Sequence, residues 1–275
     1  MRDSLTSADL EALADEVLGA PVYIAFAHEA GIDVASDVLA LNHGRLDLHL
    51  ERHLREAGRW RGRRPAVLLN DQAIGAWANE RVEPENLEAE VKRVTFGTLA
   101  HELSHVLLRP WPHYDDSPSV LDWDYETAMF KALATLPSDQ VRQRTAMMGR
   151  SPWAGHEAKF IRMSLHCGFR LARASGVEIA AAVIVSTQSY ELSHTCHYAA
   201  TISDEVVRLA DVALADLARI APPPAFRSLW TSDLRAWFLS LESPTAEQTR
   251  AFTTGVNLFD LPTAKEPDNG VFTGV

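Results

Sequence analysis

The chain has 275 residues, of which 47% are hydrophobic, and it carries a formal net charge of −11 at pH 7. An acidic chain does not favour general electrostatic binding to nucleic acid, whose phosphates attract basic surfaces. With two cysteines, no apolar signal core at the start and no apolar run near the ~20 residues of a membrane helix, we expect a cytoplasmic protein without membrane contact.

The first part of the chain alternates between helical and strand patterns. Ser7 is a candidate N-cap for a helix that ends at Leu18, before Gly19-Ala20-Pro21. Short apolar runs then predict three strands, with another helix between the second and the third. The strands are expected over 22–26, 38–41 and 66–70, and that helix over 46–54.

The next predicted helix, over 87–108, carries the most informative pattern, His101-Glu102-Leu103-Ser104-His105. Residues four apart share one face of a helix, so His101 and His105 can bind one metal ion. Glu102 is placed to reach a water on that metal instead of the metal itself. Two imidazoles and one further ligand leave a position open, as in a catalytic zinc site where the glutamate is the general base.

The remainder of the chain is expected to be largely helical. Prolines predict a loop over 109–118, in which His113 or Tyr114 is, by position, a candidate hydrogen-bond donor to an oxyanion. Helices are predicted over 122–136, 152–174, 179–186, 203–220 and 224–241. The fold class is therefore α+β, with a small sheet over the motif helix and a helical second half.

Two residues are candidates for the third metal ligand. Glu126 lies in the predicted helix after the proline-rich loop, which can return a carboxylate to the metal. His156 lies in the predicted first turn of the helix that Pro152 and Gly155 begin, and an imidazole is an ordinary zinc ligand. We favour His156, because its block of Pro, Trp, Gly and Phe is the more specific pattern. Glu126 then orients a ligating histidine.

The segment Thr98–Leu108 resembles the active-site helix of zincin metallopeptidases. Gly155-His156-Glu157-Ala158-Lys159-Phe160 resembles the H-G-x-x-F segment that supplies the third zinc histidine in SprT-like metalloproteases, with Glu157 in place of the usual Gly. The segment that begins at Glu126 resembles instead the ImmA/IrrE-type metallopeptidases, whose third ligand is a Glu in an E-A-x-x-F-A…L-M-P helix. Thr127 stands in place of that Ala.

These resemblances imply a zinc-dependent metallopeptidase that hydrolyses a protein or peptide substrate. We expect a zincin-like domain over 1–176, a helical extension over 177–242 and a weakly ordered tail over 243–275. In zincins the edge strand beside the motif helix binds an extended substrate, and 67–69 is our candidate for a strand of that sheet. The alternatives are a regulatory or binding protein that no longer cleaves, which the intact Glu102 disfavours, and a structural zinc site closed by four ligands.

Three other groups of residues are weaker candidates. His194-Thr195-Cys196-His197 is a candidate second metal cluster, but it lacks spaced partner residues. His166 and Cys167 are expected in the core of a helix. The five arginines between 55 and 64 form either a local basic patch or a solvated loop that leads into a strand, and we favour the loop.

Overall fold

A computed structural model describes residues 5–36, 38–108, 156, 158–179, 192–217 and 219–240, with side chains except at 192–196 and 234–240. The fold is mixed α+β, mostly helical with a three-stranded sheet, which confirms the expected class. The described helices and strands are α1 Ser7–Leu18, β1 Tyr23–Phe26, α2 Ala27–Ala30, β2 Ala40–Leu41, α3 Leu46–Glu56, β3 Ala66–Leu69, α4 Asp71–Asn79, α5 Leu87–Leu108, α6 Ala158–Ser175, α7 Leu192–Arg208, α8 Leu214–Leu217 and α9 Pro224–Ser240.

In the first half of the chain, the starts of α1 and α4 differ from the sequence expectation. The N-cap of α1 is Thr6 and not Ser7: the Thr6 hydroxyl accepts a hydrogen bond from the Asp9 backbone N–H, and the Asp9 carboxylate accepts one from the Thr6 N–H. This reciprocal pair is a capping box, which satisfies two backbone donors at once. Helix α4 was not predicted; Asn70 begins it by accepting a hydrogen bond from the Ala73 N–H at 3.2 Å.

The sheet has the order β1-β3-β2. β1 lies parallel to β3, and β2 lies antiparallel to β3 with Leu41 opposite Leu68. Residues 67–69 are thus a strand of the sheet, as expected, but they form its centre. β2 is the edge strand beside α5.

Both faces of the sheet are covered, because side chains alternate between two hydrophobic clusters. Ile24 and Val67 belong to a large cluster that contains buried residues from Leu10 in α1 to Trp230 in α9. Tyr23 and the other alternate strand residues belong to a smaller cluster with α3. All residues of β1 and β3 are buried, which explains why these strands are continuous apolar runs in the sequence.

In the C-terminal half, α6 packs along α5, and several predicted boundaries are wrong. His156 is not helical, and the described helix α6 begins at Ala158, so His156 precedes this helix and is not in its first turn. The predicted helix over 203–220 is divided: α7 begins earlier and ends at Arg208, and α8 is separate. The Arg170 guanidinium donates to the Leu209 and Val212 carbonyls. These hydrogen bonds hold the connection between α7 and α8 in a non-helical form.

Several expectations fall on residues outside the described part. These are the loop over 109–118, the helix over 122–136, nearly all of the helix over 179–186 and the tail over 243–275. The expected division after residue 176 stays a prediction. Among the described helices, none has the length and apolar character needed to cross a membrane.

The arginines between 55 and 64 bind groups of this chain. Arg59 pairs with Glu11, Arg63 with Asp47 and Arg55 with Glu51, at nitrogen–oxygen distances of 2.5 to 2.7 Å. The remaining two contact a backbone carbonyl or the Tyr23 ring. The segment is a connection from α3 into β3, as expected, and its charges are largely used for internal contacts.

A buried ion pair joins α6 to α7. Arg162 and Glu205 are 7% and 3% exposed, and Arg162 Nε donates to Glu205 Oε1 at 3.0 Å. Arg162 Nη1 also donates to the Leu217 and Ile220 carbonyls, at 3.2 and 2.7 Å. The completely buried His166 lies beside the pair, with its Nε2 at 3.6 Å from Glu205 Oε1.

Breaking this pair is expected to destabilise the protein strongly. Glu205→Ala leaves the Arg162 cation buried without its carboxylate, which typically costs about 3–5 kcal/mol in the free energy of unfolding. The control is Asp211→Ala, because the Arg173–Asp211 pair is solvent-exposed and its loss should be barely measurable. Urea unfolding measures the free energy of unfolding of both variants. Equal decreases in Glu205→Ala and Asp211→Ala would show that the buried pair stabilises the protein no more than the exposed pair does.

Urea unfolding of wild type and Glu205→Ala at several lower pH values tests whether Glu205 is ionised in the folded protein. Burial raises the pKa of this carboxyl, but hydrogen bonds and charges from His166 and Arg162 outweigh burial and lower the pKa below its ordinary value. A lowered folded-state pKa means that the stabilising contribution is complete above the ordinary carboxyl pKa and is lost as pH falls through the folded-state pKa. The stability difference between wild type and Glu205→Ala should therefore narrow in acid.

Candidate metal centre

Three histidines converge where α5 and α6 pack together. His101 and His105 lie one turn apart on α5, and His156 approaches them from the residues before α6. Their candidate ligand atoms all lie within 4.8 Å of one another, so the three side chains are close enough to bind one metal ion. In the described part of the chain, this is the one group of three or more His, Cys, Asp or Glu residues with that property.

The spacing of the ring nitrogens fits a tetrahedral metal ion. The Nε2 atoms of His101 and His156 are 3.2 Å apart. Zinc binds imidazole nitrogen at about 2.0–2.1 Å, so two ligands at a tetrahedral angle have nitrogens roughly 3.3 Å apart. The three ring centroids are likewise nearly equidistant, at 4.9 to 5.0 Å from one another. This arrangement is compatible with one ion bound between the three imidazoles.

Phe160 forms an apolar wall behind the histidines. Its ring centroid lies 4.7 Å from that of His101, 4.3 Å from that of His105 and 4.6 Å from that of His156. Phe160 is 2% exposed, and it stands in the first turn of α6, four residues after His156. Contact with one rigid ring restricts the orientations of all three imidazoles.

The sequence of α5 determines which side chains remain accessible. Every residue from Val94 to His105 is buried except His101, which is half-buried. The buried Ser104 hydroxyl donates to the Ala100 carbonyl of the same helix at 2.7 Å. The candidate metal-binding face of α5 is therefore accessible to solvent at His101.

Glu102 directly follows His101 on α5, and its carboxylate is held by a residue that was not predicted from the sequence. Asn42, directly after β2, donates from Nδ2 to Glu102 Oε2 at 2.7 Å and to the Glu102 backbone carbonyl at 3.1 Å. Glu102 is 9% exposed, so its carboxylate has little access to water. The available signal was the Asn42-His43-Gly44 turn at the end of the edge strand, since functional residues often follow strands.

Most of the other candidate residues lie outside the part of the chain whose side chains the structure describes. Glu126, His113 and Tyr114 lie outside the described residues. The side chains of His194 and Cys196 are not described either, and His197 is exposed on α7. These positions stay predictions.

His166 and Cys167 are completely buried, which confirms their expected place in the core. Burial raises the pKa of the Cys167 thiol to about 11, against the opposing effects of a hydrogen bond with Ser104 and the charge of Arg170. The thiol is therefore protonated at neutral pH, and among the described residues Cys167 belongs to no group of candidate metal ligands.

No protein-family model, curated protein or solved structure matches this chain. The resemblances to zincin, SprT-like and ImmA/IrrE-type metallopeptidases therefore stay predictions. The structure itself brings together His101, His105 and His156. Glu102 directly follows His101 on α5, and its carboxylate accepts a hydrogen bond from Asn42.

Proposed function

We propose that this chain is a zinc-dependent metallopeptidase that hydrolyses peptide bonds in a protein or peptide substrate. The observation that carries the proposal is the convergence of three imidazoles, one of which, His101, is directly followed on α5 by Glu102. Three neutral nitrogen ligands with one open position are typical of catalytic zinc sites, whereas structural zinc sites have four protein ligands. Imidazole ligands also suit zinc better than magnesium or calcium, which prefer oxygen.

His101, His105 and His156 would hold the ion, and zinc bound there would supply a Lewis acid that lowers the pKa of a water molecule to about 7. Glu102 follows His101 on α5, and its carboxylate would accept the proton of the attacking water as the general base. Its low exposure favours this role, since few solvent molecules compete for the carboxylate oxygens. The same carboxyl would then pass the proton to the leaving amine.

The sheet edge beside α5 is suited to an extended substrate. The Asn70 N–H donates to the Leu39 carbonyl at 2.8 Å, in register with the pairing of Ala40 and Leu69. In an antiparallel ladder this register directs the N–H and C=O of Ala40 away from β3. No described strand pairs with that side of β2, so a peptide can add there by backbone hydrogen bonding.

The opposite edge of the sheet is closed. The Ile24 N–H on β1 donates to Glu11 Oε1 at 2.9 Å, and Arg59 donates to the Ile24 carbonyl. Glu11 and Arg59 also pair with each other across this edge. Side chains thus satisfy β1 at the position that a peptide would need, which favours β2 as the substrate-binding edge.

Metal analysis tests the proposal directly. Protein purified without chelator should contain about one zinc per molecule, and His101→Ala or His105→Ala should lose it, because each removes a ligand from a three-histidine site. The zinc-loaded protein should cleave members of a quenched-fluorescence peptide library. A chelator should stop the cleavage, and added zinc should restore it.

The exposed His49 on α3 supplies the control, since His49→Ala should keep the full zinc content. A wild-type protein without any transition metal would overturn the metal site and the enzyme together. A protein with tightly bound zinc that cleaves no peptide would favour the structural or regulatory alternative.

A further inference from the structure

Two asparagines occupy comparable positions in the sheet, and they differ in how their amides are used. Asn42 follows the edge strand β2, and Asn70 follows the central strand β3. The Asn70 amide is fully engaged with the backbone: Nδ2 donates to the Ala35 and Val38 carbonyls at 3.1 and 2.9 Å, and Oδ1 accepts from the Ala73 N–H. This is the pattern of a structural asparagine.

The Asn42 amide instead faces one residue of another element. Nδ2 donates to two atoms of Glu102, the side-chain Oε2 at 2.7 Å and the backbone carbonyl oxygen at 3.1 Å. Both atoms are acceptors, so the donor end of the amide must point at them, and the orientation of the amide is fixed by chemistry. Because Asn42 bonds both the carboxylate and the backbone carbonyl of Glu102, it fixes the Glu102 side chain relative to the backbone of α5.

The other end of the Asn42 amide is left unsatisfied. Oδ1 is buried and has no hydrogen-bond partner among the described residues, unlike Oδ1 of Asn70. A buried acceptor without a donor is unfavourable for stability. Stability alone therefore does not account for an asparagine at position 42, and the contact with Glu102 does.

We propose that Asn42 is a positioning residue, which holds the Glu102 carboxylate in the orientation that proton transfer requires. The inference rests on the proposed function for its catalytic consequence, whereas the restraint on Glu102 is a property of the protein itself. A carboxylate that rotates away from its working position lowers kcat, because a proton acceptor must lie within hydrogen-bond reach of the proton. Substrate affinity depends on other contacts and should change little.

The test compares Asn42→Ala with Asn70→Ala. Asn42→Ala should lower kcat by about 10–100-fold, as is typical when a residue that orients a catalytic group is removed, with KM and zinc content nearly unchanged. Its melting temperature should fall less than that of Asn70→Ala, since removal of the unsatisfied acceptor offsets part of the cost of the bonds that Glu102 loses. Asn70→Ala should behave in the opposite way, with a melting temperature lowered by several degrees and kcat retained in the folded fraction.

Asn42→Asp separates the donor from the shape of the side chain. Aspartate has almost the same shape and keeps the acceptor, but it cannot donate to Glu102 and places a like charge beside it. Its kcat should fall at least as far as that of Asn42→Ala. Wild-type kcat in Asn42→Asp would overturn the inference, because the donor would then be dispensable.

A crystal structure of Asn42→Ala gives a readout that does not depend on activity. The Glu102 side chain should adopt a new rotamer or several rotamers. If its carboxylate keeps its original single position, the inference that Asn42 restrains Glu102 is wrong. If the wild type cleaves no peptide, the proposed function fails. The Glu102 rotamer and the paired melting temperatures then still decide whether Asn42 positions Glu102 or is merely structural.

Discussion

Replacing Glu102 by Gln is expected to remove nearly all peptide hydrolysis while the fold and the bound metal are retained. Glutamine has nearly the same shape, and its carbonyl oxygen can still accept the hydrogen bond from Asn42 Nδ2. The amide cannot take a proton from water, so the step loses its general base. General-base catalysis typically contributes about 10²–10⁴-fold to the rate, and we expect a loss of kcat in that range.

The measurement is kcat on a peptide found in the library screen, together with zinc content and the thermal unfolding midpoint. Glu88→Gln is the matched control, since Glu88 lies in the first turn of the same helix and forms an exposed pair with Lys92. It makes the identical chemical change away from the site and should leave kcat unaltered. A Glu102→Gln variant that cleaves as fast as wild type would show that another group is the base.

The motif helix was predictable because its information is local. His101 and His105 are one helical turn apart, so their common face follows from helix geometry once the apolar spacing of α5 is recognised. The central strand was predictable for a similar reason, since Ala66–Leu69 is a short apolar run bounded by turn residues. Each of these features depends on a few consecutive residues.

The remainder of the site depends on contacts between residues that are distant in sequence. His156 and His101 are 55 positions apart, and Asn42 and Glu102 are 60 apart. Periodicity contains no information about which residues after β2 reach α5. It also did not show that Phe160 would contact all three imidazoles, because that arrangement arises only when α6 packs on α5.

Competition between neighbouring residues for the same local role explains the errors at the ends of helices and strands. Thr6 and Ser7 are both good N-cap residues, and the position of Asp9 selects Thr6, because only a residue three positions ahead can complete the capping box. The predicted strand over 66–70 ends one residue earlier, at Leu69, because the Asn70 side chain begins α4. Turn residues mark the end of one element without specifying the type of the next.

The third ligand gives the second prediction with a large expected effect: His156→Ala should lose zinc during dialysis, whereas Glu126→Ala should retain most of it. The reason is the position of His156, whose Nε2 lies 3.2 Å from that of His101 in the spacing expected for two ligands of one ion. Removing it leaves a two-histidine site. If Glu126 only orients a ligand, its removal should cost about 10–100-fold in metal affinity or activity.

Competition with a chromophoric chelator ranks the zinc affinities of the two variants against wild type and the exposed-histidine control His49→Ala. Thermal unfolding of the metal-free proteins must accompany the titration, because His156 also packs against the buried Phe160 ring. Similar apo-protein stabilities with a large difference in zinc affinity would assign the effect to coordination. If Glu126→Ala is instead the variant that loses zinc, the carboxylate is the third ligand, and the ImmA/IrrE-type resemblance describes this site better than the SprT-like one.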